Sequence, residues 1–218
     1  MGDGADVEGE ALAGWVASAE AYIAFQDEAG VGRGDAARRL LLDPAMLAQC
    51  GDVAGLGALD LGCGEGRFCR MLGERGARTV GIDVTRRMVE VAVERDAGGG
   101  AYVCGSAERL PFADASFDLV VSYITLVDIP DYRAAIAEAA RVLRPGGRFV
   151  VANLSFVTAA SPWVKDDQGR RLHRALDRYV EESVQVYEWS GIGITNFHRP
   201  LSHYMQERPQ LQPRPEIR

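Results

Sequence analysis

The sequence is poor in cysteine, and its four cysteines form no pattern that binds a metal or builds a disulfide framework. Cys50, Cys63, Cys69 and Cys104 include no Cys-x-x-Cys pair and have no histidine cluster nearby. Zinc sites and small disulfide-stapled domains depend on such spacing. We therefore expect no metal site and four reduced thiols, as in a protein of the cytoplasm.

Basic residues are scarce as well, because 24 Lys and Arg face 31 Asp and Glu and the formal net charge is -7. A protein whose main partner is a nucleic-acid backbone needs the opposite balance, so we expect no nucleic-acid partner. The acidic N-terminus MGDGADVEGEALAGW differs from a signal peptide, and no apolar run is long enough to cross a membrane. These absences favour a cytoplasmic protein that acts on a small molecule.

Strand-like and helix-like segments alternate through the middle of the chain. The apolar runs ALDLG, TVGID, YVCG, FDLVVSYI and RFVVANLS are separated by RFCRMLGERG, TRRMVEVAVERD and DYRAAIAEAARVLR. This alternation predicts an α/β fold with a three-layer, doubly wound, mostly parallel sheet. Helices are predicted ahead of the sheet at ALAGWVASAEAYIAF, at DAARRLLLD from Asp35 to the residue before Pro44, and at PAMLAQC.

The length of 218 residues fits one domain over 1–218. We divide it into a helical section at 11–52, a core at 53–155, a substrate-side insertion with a final helix at 156–205, and a Pro-rich tail at 206–218. Within the insertion, RRLHRALDRYVEESV predicts a helix with Leu172, Leu176, Tyr179 and Val180 on one face. Such a helix would either close over the ligand edge of the sheet as a lid or only cover the sheet.

The segment LDLGCGEGRF at 59–68 places Gly62, Gly64 and Gly66 directly after the first predicted strand. Glycine at a strand-to-helix turn lets a ligand approach the backbone closely. Asp83 ends the next strand, where a carboxylate can accept hydrogen bonds from a ribose diol, although it could instead cap the following helix. Dehydrogenases space their glycines G-x-G-x-x-G, so an NAD-type oxidoreductase is the less favoured alternative.

Four blocks in a fixed order give the sequence a family resemblance: ALDLGCGEGRF at 58–68, VGIDVTRRMVEVA at 80–92, GSAERLPFADASFDLVVS at 105–122 and RVLRPGGRFVVANL at 141–154. The chain resembles the class I S-adenosylmethionine-dependent methyltransferases, especially the small-molecule branch related to ubiquinone-biosynthesis enzymes. The resemblance implies a Rossmann-like methyltransferase, with S-adenosyl-L-methionine bound by the core at 53–155 and S-adenosyl-L-homocysteine as the product.

The resemblance also implies which residues hold the cofactor. Its methionine portion would lie along the glycine turn, its ribose at the end of the second strand, and its adenine between the second and third strands. Ser106 departs from the acidic residue that the family often has at this position. The implied cofactor residues are Asp60, Gly62, Cys63, Gly64, Asp83, Val84, Met88, Ser106, Ala107, Glu108 and Tyr123, with Asp60 near the amino group and Tyr123 facing the methyl.

Candidates for the substrate side follow from residue type. His198 and Asp128 are candidate catalytic residues, because a hydroxyl or ammonium acceptor must lose a proton, and the resemblance adds Tyr123, which would face the transferred methyl. His198 could instead hold a structural hydrogen bond, and Asp128 could start a helix. The candidates for binding the substrate are Tyr22, Trp163 and Trp189 for an aromatic pocket, to which Tyr187 could contribute, and Arg199 for an acidic group.

The sequence thus predicts methyl transfer to an O, N or C atom of a small molecule, in secondary metabolism. A catalytically silent subunit that binds S-adenosylmethionine is the alternative, because no base is unambiguous. The tail ERPQLQPRPEIR supports this alternative, since its prolines stand where the family adds apolar strands. Either the chain is altered there, or a partner subunit, as in a homodimer, covers the sheet edge.

Overall fold

The computed structural model describes residues 4–28, 36–154, 163–175 and 178–206, with the side chains of the first helix from residue 9 onward. Its centre is a parallel five-stranded sheet of order β3-β2-β1-β4-β5. The strands are β1 (Gly57–Leu61), β2 (Arg78–Asp83), β3 (Ala101–Cys104), β4 (Phe117–Tyr123) and β5 (Leu143–Ala152). The helices are α1 (Gly4–Glu28), α2 (Asp43–Cys50), α3 (Arg67–Gly73), α4 (Arg86–Arg95) and α5 (Tyr132–Val142), with a π-helical turn at Arg38–Leu42.

Both faces of the sheet are buried, because alternate residues of one strand pack into different cores. Leu59 of β1 packs with Ile82 and with α5, whereas its neighbour Ala58 packs with Phe68 of α3. Continuous apolar strands covered by helices on both sides are typical of parallel sheets. The predicted three-layer, doubly wound fold is confirmed. The strand order reverses between β1 and β4, which opens a crevice at their carboxyl ends.

The helices ahead of the sheet differ from the prediction. Residues 36–50 are helical without interruption, and Pro44 lies in the first turn of α2 instead of ending a helix. Pro44 follows directly on the π-helical turn, in which the Asp43 N–H bonds to the Arg38 carbonyl oxygen, and proline itself lacks the N–H for the next bond of the helix. The predicted start at Asp35 and the turn at 30–34 lie outside the described residues.

The predicted insertion helix is wrong. Its residues form parts of two antiparallel hairpins, β6 (Trp163–Lys165) with β7 (Arg171–Arg174), and β8 (Ser183–Trp189) with β9 (Ile192–His198), before the short helix α6 (Leu201–Gln206). Among the described residues of this segment, Leu172 lies on a strand and Val180 in a turn, and both are exposed, so they share no apolar helical face. Leu176 and the tail from 207 onward lie outside the described residues.

The second hairpin is fastened to α1, and this contact shapes the site described below. The Ser18 hydroxyl donates to the Gly193 carbonyl oxygen at 3.0 Å and accepts from the Gly193 N–H at 2.9 Å. On its other side α1 is bonded to α4, where Arg95 forms an ion pair with Asp27 at 2.9 Å. The first helix therefore connects β9 on one side with the helix α4 on the other.

Candidate active site

A cavity of about 460 Å³ lies at the carboxyl ends of β1, β2 and β4, in the crevice where the strand order reverses. We call it the first cavity. Ligands of open α/β sheets bind at this position. The structure brings every predicted cofactor residue to its lining: Asp60, Gly62, Cys63, Gly64, Asp83, Val84, Met88, Ser106, Ala107, Glu108 and Tyr123.

The three glycines of the first turn serve different purposes, although all have positive φ. A Cβ on Gly62 would collide with the side chain of Thr125, and one on Gly66 would lie 2.9 Å from Ala92 and Tyr102. A Cβ on Gly64, at φ +54°, would meet no atom within 4 Å and would enter open space. Only Gly64 therefore has the open approach that the sequence suggested for all three.

Asp83 joins the turn after β1 to the turn after β2. Its Oδ2 accepts from the Gly64 N–H at 2.9 Å and its Oδ1 from the Thr85 N–H at 2.8 Å. Burial raises the pKa of Asp83, and these two backbone bonds oppose the rise. A carboxylate has about four acceptor positions, so Asp83 can support both turns and still accept from a ligand.

Asp60 is a buried carboxyl group with one unused oxygen. The residue is 3% exposed, and its Oδ2 accepts only a weak bond from Cys69 Sγ at 3.7 Å. Its Oδ1 has no hydrogen-bond partner within the described part of the chain. Burial raises the pKa of Asp60 to about 7. Such an oxygen, in the wall of a cavity, is suited to a cationic hydrogen-bond donor.

A buried ion pair lies beside the first cavity. No pattern in the sequence predicted it. Arg67 donates to both oxygens of Asp43 at 2.8 Å, and the Tyr123 hydroxyl donates to Asp43 Oδ1 at 2.7 Å. Burial alone would raise the pKa of Asp43, but the bonds from Arg67 and Tyr123 outweigh it and hold that pKa below its ordinary value. Because its hydroxyl is committed to Asp43, the geometry favours a structural role for Tyr123 over a catalytic one.

A second cavity of about 470 Å³ adjoins the first between α1, the π-helical turn and the β8–β9 hairpin. Its walls are mainly aromatic and aliphatic. The two cavities share five lining residues: Trp15, Tyr22, Arg38, Ile124 and Asp128. The remainder of the second lining is Ala37, Leu42, Val127, Leu154, Arg174, Tyr187, Trp189, Ile194 and Asn196.

Of the predicted substrate-side residues, Tyr22, Trp189 and Asp128 lie at the second cavity. Asp128 follows β4 and accepts from the Asn196 side-chain amide of β9. Burial raises the pKa of Asp128 well above its ordinary value. Asn196 had no sequence signal, because only the pairing of β8 with β9 turns it toward Asp128.

Three predicted residues lie elsewhere, and the structure corrects them. His198 is buried with Nε2 2.8 Å from the Tyr179 carbonyl oxygen, and it lines neither cavity. Arg199 donates to the carbonyl oxygens of Leu126 at 2.9 Å and of Ile129 and Pro130 at 2.7 Å, so it fastens the loop after β4. Trp163 lies on the first hairpin beneath the guanidinium of Arg174, 4.6 Å from its Cζ.

The described part of the chain lacks two further features. In that part of the chain no group of three or more His, Cys, Asp or Glu side chains is placed to hold a metal ion. No helix among the same residues has the length and apolar character needed to span a membrane.

The chain is similar to known proteins across this region. A family model described as a methyltransferase domain matches residues 59–151. The chain is 33% identical over 178 residues to malonyl-[acyl-carrier protein] O-methyltransferase of Serratia marcescens, which covers 70% of this chain and 69% of that protein. It is 35% identical over 153 residues to demethylmenaquinone methyltransferase of Lactococcus lactis subsp. lactis, which covers 66% and 60%.

A solved S-adenosylmethionine-dependent methyltransferase from Mesorhizobium loti matches with a TM-score of 0.67 and 30% identity, covering 79% of this chain and 78% of that one. Among the curated relatives, the match spans from 33% to 69% of the relative's own length. The quinone-biosynthesis relative agrees with the branch expected from the sequence. Together with the fold, these matches show that the chain belongs to the S-adenosylmethionine-dependent methyltransferase family.

Proposed function

We propose that the protein is an enzyme that transfers a methyl group from S-adenosylmethionine to an O, N or C atom of a small molecule held in the second cavity. The observation that carries the proposal is the shared wall of the two cavities. Methyl transfer needs donor and acceptor atoms about 3 Å apart and in line. Two adjoining cavities can hold the two molecules in this relation.

The residues of the first cavity fit the cofactor on three counts. The unpartnered Oδ1 of Asp60 can accept a hydrogen bond from the amino group of the methionine portion. The open space over Gly64 allows close approach to the backbone. Asp83 retains acceptor positions for the ribose hydroxyls, and the volume of about 460 Å³ suits a molecule of this size.

The residues of the chain have a limited chemical task. S-adenosylmethionine supplies a methyl group that is already activated on a sulfonium sulfur. The cavities orient the acceptor and exclude water, and a hydroxyl or ammonium acceptor must also lose a proton. We assign proton acceptance to Asp128, because it lines both cavities and burial raises its pKa, so that its ionised form is a stronger base than an exposed carboxylate.

This proposal does not specify the identity of the acceptor molecule. The relatives are named for malonyl-[acyl-carrier protein] and for demethylmenaquinone, which are different acceptors. A role in secondary metabolism remains part of the proposal. A cytoplasmic location is supported by four unpaired cysteines, three of them buried. Exposed Val184 and Val186 on β8 support a homodimer.

The experiment has two stages. Calorimetry with S-adenosylmethionine, S-adenosylhomocysteine and NAD should show binding of the two sulfur compounds only, and the absence of heat with both would refute the proposal. The protein is then incubated with methyl-labelled cofactor and a metabolite extract. The assignment is supported if the wild type forms labelled product and Asp128→Asn forms less of it. The control Asp166→Asn, on the exposed first hairpin, should form as much as the wild type. Cofactor binding without product from broad extracts would favour the silent subunit.

A further inference from the structure

We infer that the side-chain amide of Gln26, on α1, binds the amino-acid end of S-adenosylmethionine, and that its Oε1 accepts a hydrogen bond from the ammonium group there. The inference rests on the proposed function, because it concerns the methyl donor of the same reaction. It gives α1 a polar contact with the cofactor in addition to the aromatic wall that this helix provides for both cavities.

Gln26 is a buried polar side chain with an unused acceptor. The residue is 3% exposed, and it lines the first cavity but not the second. Its Oε1 is buried and has no hydrogen-bond partner within the described part of the chain. Such an atom has lost its water without gaining a partner, which destabilises the ligand-free protein. A ligand in the cavity that donates to Oε1 would remove this cost.

Contacts of α1 place Gln26 at the amino-acid end of the first cavity. Gln26 follows Tyr22 by four residues, so the two side chains lie on the same face of the helix, and Tyr22 lines both cavities. The next residue, Asp27, pairs with Arg95 at 2.9 Å, and Arg95 in turn pairs with Glu65 at 3.2 Å. Because Glu65 belongs to the glycine turn, these pairs bring the end of α1 to the place proposed for the methionine portion.

The free atom of Gln26 suits the ammonium group of this end better than its carboxylate. A carbonyl oxygen only accepts, whereas a carboxylate needs donors. The charge of Glu65, in the same lining, is already balanced by Arg70 at 2.6 Å and Arg95 at 3.2 Å. An ammonium group has three N–H donors, enough for both Gln26 Oε1 and the unpartnered Oδ1 of Asp60. Hydrogen bonds from a charged donor are stronger than neutral ones.

The test uses calorimetry with three adenosine thioethers. S-adenosylhomocysteine has the ammonium and the carboxylate, S-adenosyl-3-thiopropylamine lacks the carboxylate, and methylthioadenosine lacks both. Gln26→Met keeps the length of the side chain and removes its polar atoms. We expect this variant to bind the first two compounds about tenfold or more weakly than the wild type does, and the third equally well. The matched control Gln168→Met, in an exposed turn of the first hairpin, should bind all three like the wild type.

Thermal unfolding separates this role from a structural one. Removal of a buried acceptor that has no partner should leave the Tm of the ligand-free protein unchanged or raise it. S-adenosylhomocysteine should then raise the Tm of Gln26→Met by less than it raises the Tm of the wild type. A Gln26→Met variant that fails to fold, or that unfolds at a clearly lower temperature without ligand, would show that the amide supports the fold and would overturn the inference.

The three compounds also separate the remaining outcomes. An unchanged Kd for S-adenosylhomocysteine in Gln26→Met, or an equal loss for methylthioadenosine, would contradict a contact with the amino-acid end. A loss confined to S-adenosylhomocysteine would mean that the amide is turned over and donates from Nε2 to the carboxylate, which refutes the contact with the ammonium group. If the wild type binds none of the three compounds, the proposed function fails. If only the variant behaves unexpectedly, the role of Gln26 fails and the proposed function stands.

Discussion

Replacing Gly64 by alanine tests the open cradle in the first cavity, and Gly55→Ala provides a matched control. Both glycines have positive φ, +54° and +74°, and an added Cβ meets no atom within 4 Å at either position. Gly55 lies in the turn before β1 and lines neither cavity. The two substitutions therefore share the backbone cost and differ only in what the new methyl group faces.

The expected magnitudes follow from this comparison. A left-handed backbone conformation costs an alanine about 1–2 kcal/mol. For a chain of this size, that lowers the Tm by about 2–8 °C, and both variants should show it. The methyl group on residue 64 also enters the open space through which we propose that the cofactor approaches the backbone. We expect Gly64→Ala alone to lose at least about tenfold in affinity, or about 1.4 kcal/mol.

The assay is calorimetric titration with S-adenosylhomocysteine, alongside thermal unfolding of the ligand-free proteins. The informative quantity is the difference between the variants, because the backbone cost cancels. If Gly64→Ala binds the cofactor product as tightly as Gly55→Ala does, then the space over Gly64 is not a contact surface. The cofactor would then have to be held by side chains around the cavity.

Three further substitutions test the supporting groups. Asp83→Ala should weaken binding of S-adenosylhomocysteine by about 1–3 kcal/mol in calorimetry, because two backbone N–H groups and the ligand lose their acceptor; an unchanged Kd would remove Asp83 from the site. Arg67→Met leaves Asp43 buried without its cation, and urea unfolding should show a loss of about 3–5 kcal/mol; a loss below about 1 kcal/mol would contradict the importance of the pair. The pKa of Asp60, about 7 against an ordinary 3.8, means that the ligand-free protein loses stability from this group as pH rises through that range. An ammonium group binds the ionised form, so affinity should increase from about pH 6 to about pH 8, and Asp60→Asn should remove this dependence; a slope that survives the substitution would refute the assignment.

The central sheet could be predicted because its signals are local. Each strand from β1 to β5 contains a short apolar run, and the helices α3, α4 and α5, which follow β1, β2 and β4, have their own apolar periodicity. The hairpins could not be predicted in the same way. Leu172 and Val180 fit a helical spacing. The pairing of β7 with β6 depends instead on residues of another strand, which a helical periodicity does not take into account. The alternation of Val184 and Val186 with polar neighbours was a strand signal that helix periodicity concealed.

The residues of the candidate site also fall into those that local sequence predicts and those that it does not. Most of the proposed cofactor residues lie at or just after the carboxyl ends of strands of the sheet, so their position in the sequence predicts their position in space. No comparable feature of the sequence identifies Arg38, Asp43 and Asn196, because contacts between segments that are distant in the sequence determine their positions. For His198 the sequence left a catalytic and a structural role open, and Arg199 was a candidate for binding the substrate, because residue type alone cannot tell a side chain that faces a ligand from one bound to backbone carbonyl oxygens.

The bridging position of α1 has an evolutionary consequence. The first cavity is lined by α1 and by the turns after β1, β2 and β4, whereas the β8–β9 hairpin lines only the second of the two cavities. Because separate stretches of chain form these walls, mutations in the hairpin can remodel acceptor selectivity while the methyl-donor seat is inherited unchanged. Trp15 and Tyr22 of α1 line both cavities, as Arg38, Ile124 and Asp128 do. Diversification should therefore spare α1 and concentrate in Tyr187, Trp189 and Ile194.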